Sequence, residues 1–247
     1  MQNITKRFPV SSGAPLDGGR SRKGFFYALD DVSFELDSGG CSLIAGANGS
    51  GKSVLMSIIA GLETPSSGTV KTSAAVGLVF QEPDAQILGE TPMEDAAFGP
   101  MNKGFSKSEC EARAEKALAE TGLSDKAGFP ARSLSGGEKR RLAAAGIIAM
   151  DCPVIIFDEP YANMDYQGVV QINLLVKKLL ADGKTVIILT HELEKSLALA
   201  SRFIVLFHGK KVFDGSPAAA LGLDLETWGI RNPLRNPALT IGDLVWL

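Results

Sequence analysis

Gly46, Gly51, Lys52 and Ser53 stand in a G-x4-G-K-S spacing. A strand-like run, CSLIAG, leads into it, and an apolar helical pattern, SVLMSIIAGL, leaves it. That order suits a phosphate-binding loop, whose glycines let backbone N–H groups close around an anion. Gly46, Ala47, Asn48, Gly49, Ser50 and Gly51 would form the cradle. Lys52 would add a point charge for the β and γ oxygens, and the Ser53 hydroxyl would reach a Mg²⁺ ion.

Four further residues sit where three strands should end. In VIIFDEP the apolar run ends in two carboxylates, which would emerge beside the phosphate loop at the C-terminal edge of a parallel sheet. Asp158 is placed for Mg²⁺, and Glu159 for orienting and deprotonating a water. His191 closes TVIILT, and Gln81 closes VGLVF, where it can contact the metal or a water.

LSGGEKRR, residues 134–141, poses a separate problem. Ser135 and Glu138 have the spacing of a capping box, so Ser135 should open a helix. Its glycine-rich start, Gly136 and Gly137, would offer free N–H groups to a second anion. Lys139, Arg140 and Arg141 read as the solvated face of that helix.

The elements that must position these residues alternate. DDVSFEL, CSLIAG, AAVGLVFQ, PVIIFD and TVIILT read as strands, and QGVVQINLLVKKLLADG and ELEKSLALA as helices. RFIVLFHGKKVFDG reads as a hairpin turning at His208 and Gly209. This alternation predicts a mainly parallel sheet with helices on both faces. Residues 84–132 change to helical charge patterns and read as an inserted lobe, with Ser106 and Glu109 as another capping box. Residues 9–24, rich in Gly, Ser and Pro, read as a long exposed loop.

Composition narrows the function. The 247 residues are 45% apolar with a net charge of −3. No apolar run reaches the roughly 18–20 residues of a membrane span, and the polar start carries no leader pattern. No single-sign block is long enough to follow a nucleic-acid backbone, so nucleic acid is not an expected partner. Cys41, Cys110 and Cys152 are scattered and read as small buried residues of a reducing compartment.

Taken in order, Gly46–Ser53, Gln81, Leu134–Glu138, Phe157–Pro160 with Asp165, and His191 resemble the motifs of an ATP-binding cassette ATPase. The resemblance covers nearly the whole chain. It implies an α/β fold: a P-loop NTPase core with a mainly parallel sheet, an N-terminal antiparallel β part and an inserted α-helical lobe. The implied division is a core of residues 1–83 and 133–222, a lobe of 84–132 and a C-terminal extension of 223–247. It also implies ATP and Mg²⁺ as cofactors, and Phe8 as the aromatic that stacks on adenine, with Phe26 and Tyr27 as alternatives. In this family two cassettes pack head to tail, so Ser135, Gly136, Gly137, Glu138 and Asp165 would meet the nucleotide of the partner subunit. That accounts for a second anion site.

Gln81–Asn102 and the WGIRNPL stretch are similar to cassettes of energy-coupling factor transporters and related cobalt and nickel importers. The implied partners are a second cassette (identical or a paralogue), a transmembrane coupling protein and a substrate-binding membrane component, with the chain peripheral on the cytoplasmic face. Within residues 81–102, Ile87, Leu88, Met93 and Phe98 are the candidate docking residues. Tyr161 and Asn163-Met164 depart from the family's usual wording. A soluble cassette acting in DNA repair or translation is the competing reading. It would need a long coiled-coil insertion or a second cassette, and the chain shows neither.

Overall fold

The computed structural model of the chain describes residues 1–10, 20–22, 24–72, 74–235 and 239–247. Its centre is a six-stranded sheet in the order β10-β9-β4-β8-β7-β6. The strands are β4 (Cys41–Ala45), β6 (Val76–Val79), β7 (Val154–Asp158), β8 (Thr185–Leu189), β9 (Arg202–Phe207) and β10 (Lys210–Gly215). All neighbours pair in parallel except β10, which returns antiparallel on β9 through the expected His208-Gly209 turn. Near-continuous apolar strands such as VIIF and TVIIL fit a sheet covered on both faces. A second, antiparallel sheet has the order β2-β3-β1-β5: β1 (Gln2–Pro9), β2 (Ser21–Arg22), β3 (Phe25–Val32) and β5 (Ser67–Thr69).

Helix α1 (Lys52–Ile59) leaves β4 and buries Leu55, Met56 and Ile58 between the two sheets. Helix α5 (Tyr166–Ala181) covers the other face through Val169, Ile172, Leu175, Val176 and Leu179. Three helices form a separate packing unit: α2 (Pro92–Asn102), α3 (Lys107–Glu120) and α4 (Gly136–Ala149). Ala96, Ala114, Ala117, Leu118, Leu142 and Ala145 meet at their centre, the small side chains allowing close approach. The other side of α4 packs on the central sheet. A Cβ built on Gly77 of β6 would lie 2.2 Å from Cγ2 of Ile147, so that strand position needs glycine.

Four sequence expectations change. The segment ELEKSLALA is not an α-helix but two 3₁₀ turns, Leu193–Lys195 and Leu197–Leu199. The Lys195 carbonyl is taken by Asn173 Nδ2 at 2.7 Å and by the Trp246 N–H, so it cannot continue a helical ladder, and Ser196 sits at φ −154°. The strand expected over DDVSFEL starts earlier and ends at Val32, because Asp31 takes a left-handed φ of 58° and Asn3 N–H bonds the Ser33 hydroxyl. Within the expected 9–24 loop, Ser21 and Arg22 instead pair with Phe26 and Phe25, while residues 11–19 and 23 lie outside the described residues. Finally, Arg140 is not solvated. It is buried, for a reason that lies in the site.

Candidate nucleotide site

β4 lies between β8 and β9 and delivers Gly46 at the C-terminal edge of the sheet. Gly51 caps α1 with φ 107°, and a Cβ there would stand 2.6 Å from the Ala28 carbonyl, so only glycine fits this turn. Lys52 is buried. Its Nζ donates to the Gly46 carbonyl at 2.7 Å and lies 3.4 Å from Glu159 Oε1. Two braces hold the loop from outside. The Gly209 N–H of the β9–β10 turn donates to the Ser50 carbonyl at 2.9 Å. Arg20 donates to the carbonyls of Gly49 (2.6 Å), Ala28 (2.8 Å) and Tyr27 (3.1 Å), tying the loop to β3.

β7 carries Asp158 and Glu159 to the same edge. Glu159 adopts a left-handed backbone (φ 45°) as the chain turns off the strand, and its N–H donates to the Leu189 carbonyl at 2.9 Å. This turn aims its carboxylate back over the loop. His191, just past β8, brings Nδ1 to within 3.2 Å of Glu159 Oε1 and 3.1 Å of Oε2. Lys52 and His191 therefore flank one carboxylate.

Asp158 is buried, and its Oδ1 has no hydrogen-bond partner. Burial pushes its carboxyl above the ordinary range, opposed by the Ser53 hydroxyl and by Lys52. A buried carboxylate oxygen without a partner, next to a serine hydroxyl, fits a divalent cation. Among the described residues no three His, Cys, Asp or Glu side chains cluster around a point. That suits Mg²⁺, which takes one or two carboxylates plus phosphate oxygens rather than an all-protein cage. Asp158 and Ser53 would hold it, with Gln81 within the same cleft.

The cleft, about 480 Å³, is lined by Asn48–Val54, Gln81, Glu159, Ala28, Arg20, Phe8 and Phe26. Phe8 and Phe26 are paired across β1 and β3, which brings both rings to one wall. Tyr27 does not line the cleft, and its ring lies instead under the Arg22 guanidinium at 4.0 Å.

Ser135 to Glu138 do not reach this cleft. They form the expected capping box at the start of α4: Glu138 N–H donates to Ser135 Oγ, and Ser135 N–H to Glu138 Oε2 at 2.9 Å. Lys126 beside Glu138 holds its carboxyl below the usual range. Asp165 caps α5, its Oδ1 accepting from Gly168 N–H at 2.8 Å.

Several site residues escaped the sequence reading. Arg140 donates through Nη2 to the Gln81 carbonyl at 2.9 Å and through Nη1 to the Ala162 carbonyl at 2.8 Å. A signal existed: Arg140, Ala143, Ala144 and Ile147 recur at i, i+3, i+4 and i+7 on the buried face of α4. Arg20 had no such signal. Ile87, Leu88, Met93 and Phe98 separate: Ile87 and Met93 pack into the three-helix unit, whereas Leu88 (67%) and Phe98 (41%) are exposed. These last two line a groove of about 270 Å³ with Gly99, Gly146, Ile147 and Met150.

Residues 29–162 match the ABC transporter family. A cobalt import ATP-binding protein, CbiO, of Rhodobacter capsulatus is 39% identical over 84% of this chain and 80% of its own length. An energy-coupling factor transporter ATP-binding protein, EcfA, of Carboxydothermus hydrogenoformans is 38% identical over 85% of each. A solved dimer of an ATP-binding cassette in a post-hydrolysis state, bound to ADP and Pi, superposes with a TM-score of 0.75. It has 27% identity and covers 87% of this chain and 97% of that one.

Proposed function

The chain belongs to the ABC transporter family, and on that premise we propose that it powers an importer of the energy-coupling factor type for a vitamin or a transition-metal ion. It is an ATPase. The γ-phosphate is attacked in line by water, and the protein's contribution is positioning and charge stabilisation. Glu159 accepts the water's proton, His191 Nδ1 steers the Glu159 carboxylate, and Lys52 shares the charge that develops on the phosphoryl oxygens. Asp158 and Ser53 would hold Mg²⁺, which would supply charge neutralisation at the phosphate oxygens. Phe8 and Phe26 offer faces for adenine.

One observation carries this reading. Lys52 and Glu159 line one cleft and His191 contacts the Glu159 carboxylate, while the N–H-rich start of α4 lies outside that cleft. Two copies, or one copy and a paralogue, placed head to tail would bring Ser135–Glu138 and Asp165 of each to the nucleotide of the other. The division into a core (1–83 and 133–222), a helical lobe (84–132) and a C-terminal extension (223–247) belongs to this reading. Among the described residues no helix is long and apolar enough to cross a membrane. A transmembrane coupling protein would therefore supply the pathway, inserting a short helix against Leu88 and Phe98 on the cytoplasmic side. A separate membrane component would choose the substrate.

Glu159→Gln tests the chemistry. It should bind ATP normally and lose about 10²–10⁴ in turnover, the usual worth of a positioned general base. Turnover near the wild-type rate would remove Glu159 from its role. Purifying the chain from its native membranes tests the importer. An integral membrane protein that cross-links to position 88 supports it, and a complex free of membrane proteins removes it.

A further inference from the structure

Asn173 on α5 is fully buried among apolar neighbours, away from the nucleotide cleft. A buried amide is costly unless its hydrogen bonds are made. Here they tie three distant segments together. Asn173 Oδ1 accepts from the Tyr161 hydroxyl at 2.8 Å, and Nδ2 donates to the carbonyls of Lys195 at 2.7 Å and Trp246 at 2.8 Å. Both N–H donors and the carbonyl are thus used.

The segments are not arbitrary. Tyr161 lies two residues beyond Glu159 in the same tight turn, closed by the Ala162 N–H to the Glu159 carbonyl at 3.3 Å. Lys195 lies four residues beyond His191, in the first 3₁₀ turn. Trp246 belongs to the C-terminal tail. Its N–H donates to the Lys195 carbonyl, and its ring packs on Tyr166, one residue past Asp165. The arms Glu159–Tyr161 and His191–Lys195 therefore close a ring, pinned at one end by Asn173 and at the other by the Glu159–His191 contact.

We propose that Asn173 is a positioning residue for hydrolysis: with Tyr161 and the Trp246 carbonyl it sets the spacing between Glu159 and His191. This rests on the reading of Glu159 as the base. It also gives Tyr161, which departs from the family's usual small residue, a task. Its ring fills the core and its hydroxyl reports the position of the turn to α5 and the tail.

The test uses the assembled ATPase. Tyr161→Phe keeps the ring and removes the hydroxyl. Its kcat should fall about tenfold, as a displaced catalytic group costs, while the KM for ATP holds, because the phosphate loop is untouched. Deleting residues 245–247 removes the Trp246 carbonyl and should give the same split. Combining the two should cost little beyond either alone, the mark of a shared network. A Tyr161→Phe enzyme with wild-type kcat overturns the proposal, and so does a loss of kcat and ATP affinity together in step with a lowered Tm. Glu159→Gln, assayed beside it, separates the two claims. If Glu159→Gln is dead and Tyr161→Phe is normal, the positioning role alone falls. If Glu159→Gln turns over normally, the base falls and takes the positioning role with it.

Discussion

Arg140 reaches from the second turn of α4 to the Gln81 carbonyl, 2.9 Å from Nη2, and with Nη1 holds the Ala162 carbonyl at 2.8 Å. One guanidinium thus joins the LSGGE helix to the segments that carry Gln81 and Glu159. Its fork suits two convergent acceptors, which lysine could not satisfy together. Arg140→Ala should cost about 2–3 kcal/mol, because two carbonyls lose a charged donor in a buried setting. Urea unfolding of the isolated chain measures this. Arg140→Lys should recover only part of the loss.

Asp158 links function to stability. Burial raises its carboxyl above the ordinary value, so the folded protein holds this proton more tightly than the unfolded chain. Its contribution therefore favours folding most at low pH and is lost as pH rises through the raised folded value. At neutral pH the buried charge is a cost when no cation offsets it. Asp158→Asn should then be more stable than wild type at pH 7.5 in the presence of a chelator, by about 0.5–2 kcal/mol, while losing Mg²⁺-dependent turnover. Thermal melts with and without Mg²⁺ check both parts. A less stable Asp158→Asn protein under those conditions would contradict the assignment.

The phosphate loop, the DEP carboxylates, the capping boxes at Ser106 and Ser135 and the β9–β10 hairpin were legible because each is a local pattern. Their chemistry or turn geometry is set within about eight residues of chain. Arg140, Arg20 and the Asn173 ring were not. A charged or amide side chain becomes a core residue only where carbonyls from remote segments converge, and single-sequence periodicity carries no such distances. The 3₁₀ turns after His191 failed for the same reason. ELEKSLALA has helical spacing at Leu193 and Leu197, both buried, yet the tail and Asn173 claim the Lys195 carbonyl first.

Leu88 lies on the groove between α2 and α4, and it contributes little to the chain's own core. Leu88→Asp should leave circular dichroism and ATP binding unchanged but prevent recovery of the chain with the membrane complex. Each apolar anchor of such a site is worth about 1–3 kcal/mol when buried. Ile87→Asp is the contrast. It enters the packing of α2 to α4 and should unfold that unit.

If one ATP is held between the Lys52 loop of one subunit and the Ser135 helix start of its partner, mixing two differently damaged subunits should restore turnover. Ser135→Arg alone should bind ATP with wild-type affinity and fail to hydrolyse it, and Lys52→Ala alone should also fail. Mixed in equal amounts as a homodimer, they should recover about a quarter of the wild-type rate, since half the dimers are mixed and each has one intact site of two. A Ser135→Arg enzyme that hydrolyses ATP at the wild-type rate by itself would contradict the shared site.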